Sequence, residues 1–361
     1  EILADMVGQP LLRVSDIEAE RDIILQEINE WHSDPYHHSL CRLPGVLWPG
    51  HPLGHDQLGT AKQLNAIDAR QLRHAHASGY SRNRSALFVA GDIERNQLID
   101  VVQSCLEQMP GTPLSPRKHP AHYGPLPAWQ ADHVTTIDSP HADSIVYLLF
   151  PIPPTTDGIE AHLQWDFLED VFSAGELGSP LNRLVREDSR LAYSPEFIST
   201  TYPDGGYAGL VAQTSVQPEL VLEAFWRLIQ SPEIRSAAWL DYVRDTIRGG
   251  IEMHDPNACE YTDEGSATLI HYGRCLTAST LAKCSATAIA KWPSGWSGWC
   301  RPLRTRLCFA AMANTSKSPQ SKHVDVNVKK KRLPLPKFRQ PIMSLAFVGK
   351  RARFTSCPFP F

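Results

Sequence analysis

Residues Ser15 to Trp31, SDIEAERDIILQEINEW, constrain this chain more than any other stretch, because they place acids on an apolar face. Ser15 with Glu18 three residues on spells a capping box, and Ile17, Ile24, Ile28 and Trp31 recur at helical spacing. At about 100° per residue, Glu20 and Glu27 fall within roughly 40° of Ile24 and Trp31, so both carboxylates are expected to face the way the buried stripe faces. Burying an ionised group costs several kcal/mol unless a cation or strong donors meet it. The helix therefore calls for a metal, an Arg or a Lys opposite it. The plainer reading is a partly exposed helix face with ordinary ion pairs, and spacing alone does not separate the two.

Along the chain, Pro44, Pro49, Pro52 and several Gly mark residues 41–60 as irregular loop. Asn65 or Asp68 can cap a helix running to Tyr80, SALFVAGDI (85–93) reads as a buried strand with its turn, and 93–109 as an amphipathic helix. Six prolines between Pro110 and Pro127 read as a linker. HVTTID and SIVYLLFPI are then expected as strands, followed by a helix near 159–172, another over 181–188, the strand YAGLVAQTSV, and helices over 219–229 and 236–252. Alternating helices and strands point to an α+β layered arrangement. The chain of 361 residues is long enough for two domains of ordinary size.

Charge divides the chain sharply. Residues 284–361 carry 15 Lys and Arg against one acid, Asp325, a balance of +14 that leaves −18 for residues 1–283. The KKKR run at 329–332 reads as a solvated segment rather than a nucleic-acid site. No run of about 18 apolar residues suggests a membrane span. Eight cysteines without CxxC pairs fit reduced thiols, hence a reducing compartment such as the cytoplasm. His32, His37 and His38 invite a local metal reading, but they straddle Pro35 in an expected loop.

Four pieces in collinear order, ERDIILQEI (20–28), HPLGHDQLGT (51–60), ALFVAGDI (86–93) and SPLNRLVREDSRLAYS (179–194), resemble the pitrilysin/insulinase family of zinc metallopeptidases, especially its mitochondrial-processing-peptidase-like branch. The resemblance runs over roughly residues 1–280 and implies two related α/β sandwich-like halves, the first truncated at its N-terminus. It implies residues 1–112 as the C-terminal part of a metal-bearing domain, 113–131 as linker, 132–282 as a substrate-binding domain, and 283–361 as an aberrant basic tail, most plainly a reading-frame error or a mis-called exon. In that family an H-x-x-E-H motif supplies two zinc ligands and a general base, and a downstream helix supplies the third ligand. The resemblance puts that third ligand at Glu27, an accessory acid at Glu20, and substrate-contacting residues at Arg186 and Tyr193. A guanidinium and a phenol suit a peptide carbonyl and its developing oxyanion. By themselves the two residues also read as a helix-end cation and a core-edge tyrosine.

The sequence departs from the family in two ways. None of its fifteen His sits in an H-x-x-E-H arrangement, and Asp188, Ser189 and Arg190 stand where the family carries basic residues and a Gly. The expected function is therefore a Zn²⁺-dependent endopeptidase acting on peptides or unfolded segments, the chain being inactive by itself, as a homo- or heterodimer with a related subunit. The alternative is a non-catalytic scaffold or substrate-binding partner. Joint retention of Glu20, Glu27, Arg186 and Tyr193 favours the enzyme.

Overall fold

The computed structural model describes residues 2–80, 85–92, 94–108, 122–128, 133–152, 154, 159–253, 257–273, 275–276, 280, 283–285, 287–288, 308–310, 329–331 and 343–348. Two compact units emerge, and each gathers separate stretches of chain. One comprises residues 1–32, 55–122 and 254–282, the other 33–54, 123–253 and 283–361. Part of the expected linker, 113–121 and 129–131, and most of the basic tail lie outside the described residues.

The first unit is helical among its described residues: α1 (Ile2–Gly8), α2 (Val14–Ser33, up to His32), α4 (Ala61–Ala66), α5 (Ala69–Gly79), α6 (Arg95–Gln108) and α11 (Ala258–Tyr272). Local chemistry sets their ends. Thr60 with Gln63, Asp68 with Gln71 and Asn257 with Glu260 each close a capping box, and Gly273 takes φ +68° to stop α11. Arg21 of α2 donates to the carbonyls of Leu64 and Ile67 at 3.4 and 2.7 Å, so a cation meets the C-terminal end of α4.

Two expectations fail in this unit. Helix α2 begins at Val14, and Ser15 bonds the Asp16 carboxylate instead of capping backbone. Along it Ile28 is buried and Trp31 is 42% exposed, while Glu20 and Glu27 both lie exposed to solvent. The apolar stripe is narrower than its spacing suggests, and carboxylates left in water escape the cost of burial. Residues 85–90, expected as a buried strand, are irregular, with Leu87 and Val89 exposed. Among the described residues no strand pairs with them, and an extended run without a neighbour leaves its N–H and C=O groups unmatched. Phe88 turns inward, onto α11 at Gly265, where a Cβ would come within 3.0 Å of its ring.

The second unit is built on a sheet. Strands β1 (His133–Asp138) and β2 (Ser144–Ile152) precede α7 (Ile159–Ser173) and α8 (Pro180–Asn182), and β3 (Glu196–Tyr202) and β4 (Gly205–Thr214) form a hairpin before α9 (Pro218–Gln230) and α10 (Ala237–Met253). β4 runs antiparallel to β2, from Ser144 opposite Thr214 to Ile152 opposite Gly206, and to β3, with Tyr202 opposite Gly205. Beyond residue 300, β5 (Cys308–Ala310), β6 (Lys329–Lys331) and β7 (Met343–Val348) join the sheet, in the order β3-β4-β2-β5-β7-β1-β6. Thus three stretches of the tail are extended and paired.

Every residue from Ile145 to Phe150 is buried, so both faces of β2 are covered. Helices α9 and α7 pack on the sheet, against β2 and β4 and against β3. Helix α3 (Pro35–Leu47) meets Tyr147 on β2. Much of α3 was expected as loop. Asp34 accepts from the His37 N–H at 2.8 Å, Pro35 sits in the first turn, and Ser39, Leu43 and Leu47 recur every four residues as a buried stripe. Packing of that stripe outweighs the hydrogen bond Pro44 removes. On this helix His37 faces Asp34 at 3.2 Å and the His38 ring meets His141, so the two imidazoles diverge and do not share a metal.

Candidate functional site

The site grows from the stretch following α7. Ser179 caps α8 by accepting from the Asn182 N–H at 3.2 Å, with Pro180 in the first turn. Leu181 and Val185, four residues apart and fully buried, then anchor the chain on the core. Instead of closing as an α-helix, residues Arg183–Asp188 open into a π-helical turn, in which Ser189 N–H reaches back to Leu184 O at 3.2 Å and Leu191 N–H to Val185 O at 2.9 Å. Such widened turns recur at functional sites. An ion pair from Arg183 to Glu233 fastens its start, and Thr214 Oγ1 donates to Leu191 O at 2.6 Å, fastening its end to β4.

Arg190 has φ +51° in this turn, the left-handed region that favours glycine. The reversal brings the two residues singled out by resemblance together. The Arg186 guanidinium carbon lies 4.5 Å from the centroid of the Tyr193 ring, a cation–π contact. Tyr193 is 76% exposed, so its phenol reaches solvent, while Arg186 is part-buried with Nε 3.3 Å from Glu187. Both line a cavity of about 550 Å³ whose remaining wall includes Asp143, Arg190, Gln213 and Ser215. Gln213 Nε2 donates to Asp143 Oδ2 at 2.8 Å, joining the end of β4 to the turn before β2.

Chemically this wall offers guanidinium N–H donors, a phenol and serine hydroxyls beside an apolar strip of Leu191, Ala192 and Val216. It can hold a polar backbone against an apolar surface. Asp143, Arg190 and Gln213 were missed in the sequence, because only the fold brings the ends of β2 and β4 beside the turn; the departure from Gly at position 190 was the one signal available. Glu20 and Glu27 belong to the other unit. Zinc needs three or four protein ligands, and among the described residues no converging trio of His, Cys, Asp or Glu atoms includes either glutamate. Among the described residues, Glu20 and Glu27 thus have no converging ligands with which to hold the ion.

A family model described as the peptidase M16 inactive domain matches residues 66–231, which contain the whole turn and both Arg186 and Tyr193. An uncharacterized zinc protease of Mycobacterium tuberculosis is 25% identical over 215 residues, 59% of this chain and 47% of that protein. The mitochondrial-processing peptidase subunit beta of Saccharomyces cerevisiae is 25% identical over 255 residues, 66% of this chain and 54% of the other. The match of residues 66–231 to the peptidase M16 inactive domain and these relatives support the resemblance to the pitrilysin/insulinase family. The chain's α+β architecture is that of the family: a solved peptidase M16 inactive domain from Pseudomonas fluorescens superposes with a TM-score of 0.64 at 18% identity, covering 79% of this chain and 66% of that one. The chain spans about half the length of the curated relatives it matches. No helix among the described residues is long and apolar enough to cross a membrane.

Proposed function

We propose that this chain supplies the substrate-holding part of a zinc metalloendopeptidase of the pitrilysin/insulinase type. The observation that carries the reading is the Arg186–Tyr193 stack in the wall of the cavity. The guanidinium donates to a peptide carbonyl, its plane fixed by the ring beneath it, and the exposed phenol O–H donates to a second acceptor along the same extended segment. Neither group cleaves a bond. Glu27 as third zinc ligand and Glu20 as accessory acid stay proposals by resemblance, since the two histidines and the general base they would serve are not in this sequence. The chain alone is accordingly a binder of unfolded peptide and not a peptidase.

The purified chain tests this directly. It should bind a fluorescent unstructured peptide, with Arg186→Ala weakening the complex about ten-fold, the loss of one charge-assisted hydrogen bond, and it should show no chelator-sensitive cleavage. Zinc-dependent turnover by the chain alone, or binding indifferent to Arg186→Ala and Tyr193→Ala, overturns the proposal.

A second reading, a non-catalytic subunit pairing with a related peptidase, draws support from the description of the matching family model as an inactive domain and from a yeast relative named as a subunit. The two readings differ at Glu27. With a chain bearing the H-x-x-E-H motif added, Glu27→Gln abolishes turnover if this chain contributes a zinc ligand and leaves it intact if the chain is a scaffold.

A further inference from the structure

The cavity beside Arg186 holds a second guanidinium in a backbone conformation that resists it. Arg190 lines the same cavity, and its φ of +51° is one that residues with a Cβ avoid. Strain of this kind persists where the surroundings over-determine it and concentrates at binding sites. Here the surroundings are visible: the next residue, Leu191, is held on both sides, its N–H on Val185 O and its carbonyl by the Thr214 hydroxyl. The chain therefore holds an arginine, rather than a residue free of penalty, at a fixed point on the rim.

Charge lining the cavity is positive on balance. Among the described residues the charged side chains lining it are Arg186, Arg190 and Asp143. Asp143 is engaged by the Gln213 amide at 2.8 Å. Glu187 approaches Arg186 at Nε but does not line the cavity. A guanidinium has five N–H donors, so contact at one leaves others to face a ligand. Hydroxyls of Tyr193 and Ser215 add donors, and the volume of about 550 Å³ exceeds that of any one amino-acid side chain.

We propose that this cavity selects peptides carrying an aspartate or glutamate side chain, and that Arg190 sets this selectivity. The inference rests on the reading that the cavity holds peptide. A carboxylate meets two guanidiniums there against the single carboxylate of Asp143, so the lining is positive on balance and disfavours a lysine side chain. Without Arg190 the charges of Arg186 and Asp143 offset one another. Arg190 is exposed, so its contribution is that of a solvent-facing pair, screened by salt.

The experiment uses the 361-residue chain and three labelled unstructured peptides, identical except for Glu, Gln or Lys at one central position, followed by fluorescence anisotropy. The Glu peptide should bind about five-fold more tightly than the Gln peptide, and the Lys peptide most weakly, with the differences shrinking as salt rises. Arg190→Gln, which keeps the Cβ and the backbone strain, should bring the Glu-to-Gln ratio close to one, and Arg190→Lys should restore most of it. Equal binding of Glu and Gln peptides that still requires Arg186 overturns the selectivity while leaving the peptide-holding function standing. Binding of no peptide, or binding insensitive to Arg186→Ala, removes both. A Glu preference undiminished in Arg190→Gln assigns selectivity elsewhere and also overturns the proposal.

Discussion

Arg190 shows how one residue couples backbone cost to a site. Left-handed backbone costs a residue with a Cβ about 1–2 kcal/mol, whereas glycine adopts it freely but has more unfolded-state entropy to lose. Arg190→Gly should therefore stabilise the chain by about 0.5–1 kcal/mol, read as a higher urea midpoint with an unchanged slope. An unchanged or lower midpoint would mean that the side chain of Arg190 contributes packing that offsets its strain. At this scale the sequence was informative through resemblance: Arg186 and Tyr193, seven residues apart, proved to stack at 4.5 Å. The exposure of Glu20 and Glu27 was not recoverable. Helical periodicity says which residues share a face with Ile24, but only neighbouring elements decide how wide a strip of that face is covered, and the strip buries Ile28 while leaving both acids in water.

Helix α3 is the element on which local and tertiary preferences disagree. Pro44 and Gly45 read as loop, yet the segment is helical through Leu47, because Leu43 and Leu47 are buried in the core of the sheet-bearing unit and Ser39 reaches Tyr147 on β2. The contact includes a polar seam. Ser39 donates its one hydroxyl proton to Tyr36 O at 2.7 Å, so across the 2.5 Å contact between Ser39 Oγ and Tyr147 Oη the phenol is the donor. Tyr36 in turn donates to Glu196 Oε2 on β3 at 3.0 Å. Ser39→Ala removes one hydrogen-bond partner of a fully buried phenol and should cost about 1 kcal/mol. Adding Tyr147→Phe should return part of that loss, and a fully additive double mutant would show that the two hydroxyls do not interact. The opposite error occurred at residues 85–93, where an apolar run reads as a strand by composition. A strand also needs a partner, and none is paired with it among the described residues.

Across the molecule, the sheet-bearing unit concentrates buried phenols. Burial raises the pKa of Tyr36, Tyr147, Tyr202 and Tyr207 above the ordinary 10.0, and the Glu196 carboxylate raises Tyr36 further. The folded state thus keeps protons the unfolded state releases, so these groups leave stability intact below pH 10.0 and erode it as pH rises above that value. Urea midpoints should hold below this pH and fall beyond it, with phenolate absorbance in the native protein lagging that of the unfolded chain. Complete native titration near 10.0 without loss of stability would contradict the burial that the structure assigns to these rings.

By itself the sequence determined the α+β class, β1, β2, β4 and helices α7, α9 and α10, since hydrophobic period and cap chemistry are local properties of a few consecutive residues. The family, too, was legible, from four motifs in order. Only the tertiary structure decided that residues 33–54 pack with the sheet and 254–282 with the helical unit, that α3 is a helix, and that Arg190, Asp143 and Gln213 share one cavity with Arg186 and Tyr193. These depend on contacts between residues far apart in the chain, whose packing free energy exceeds the local preferences that periodicity records.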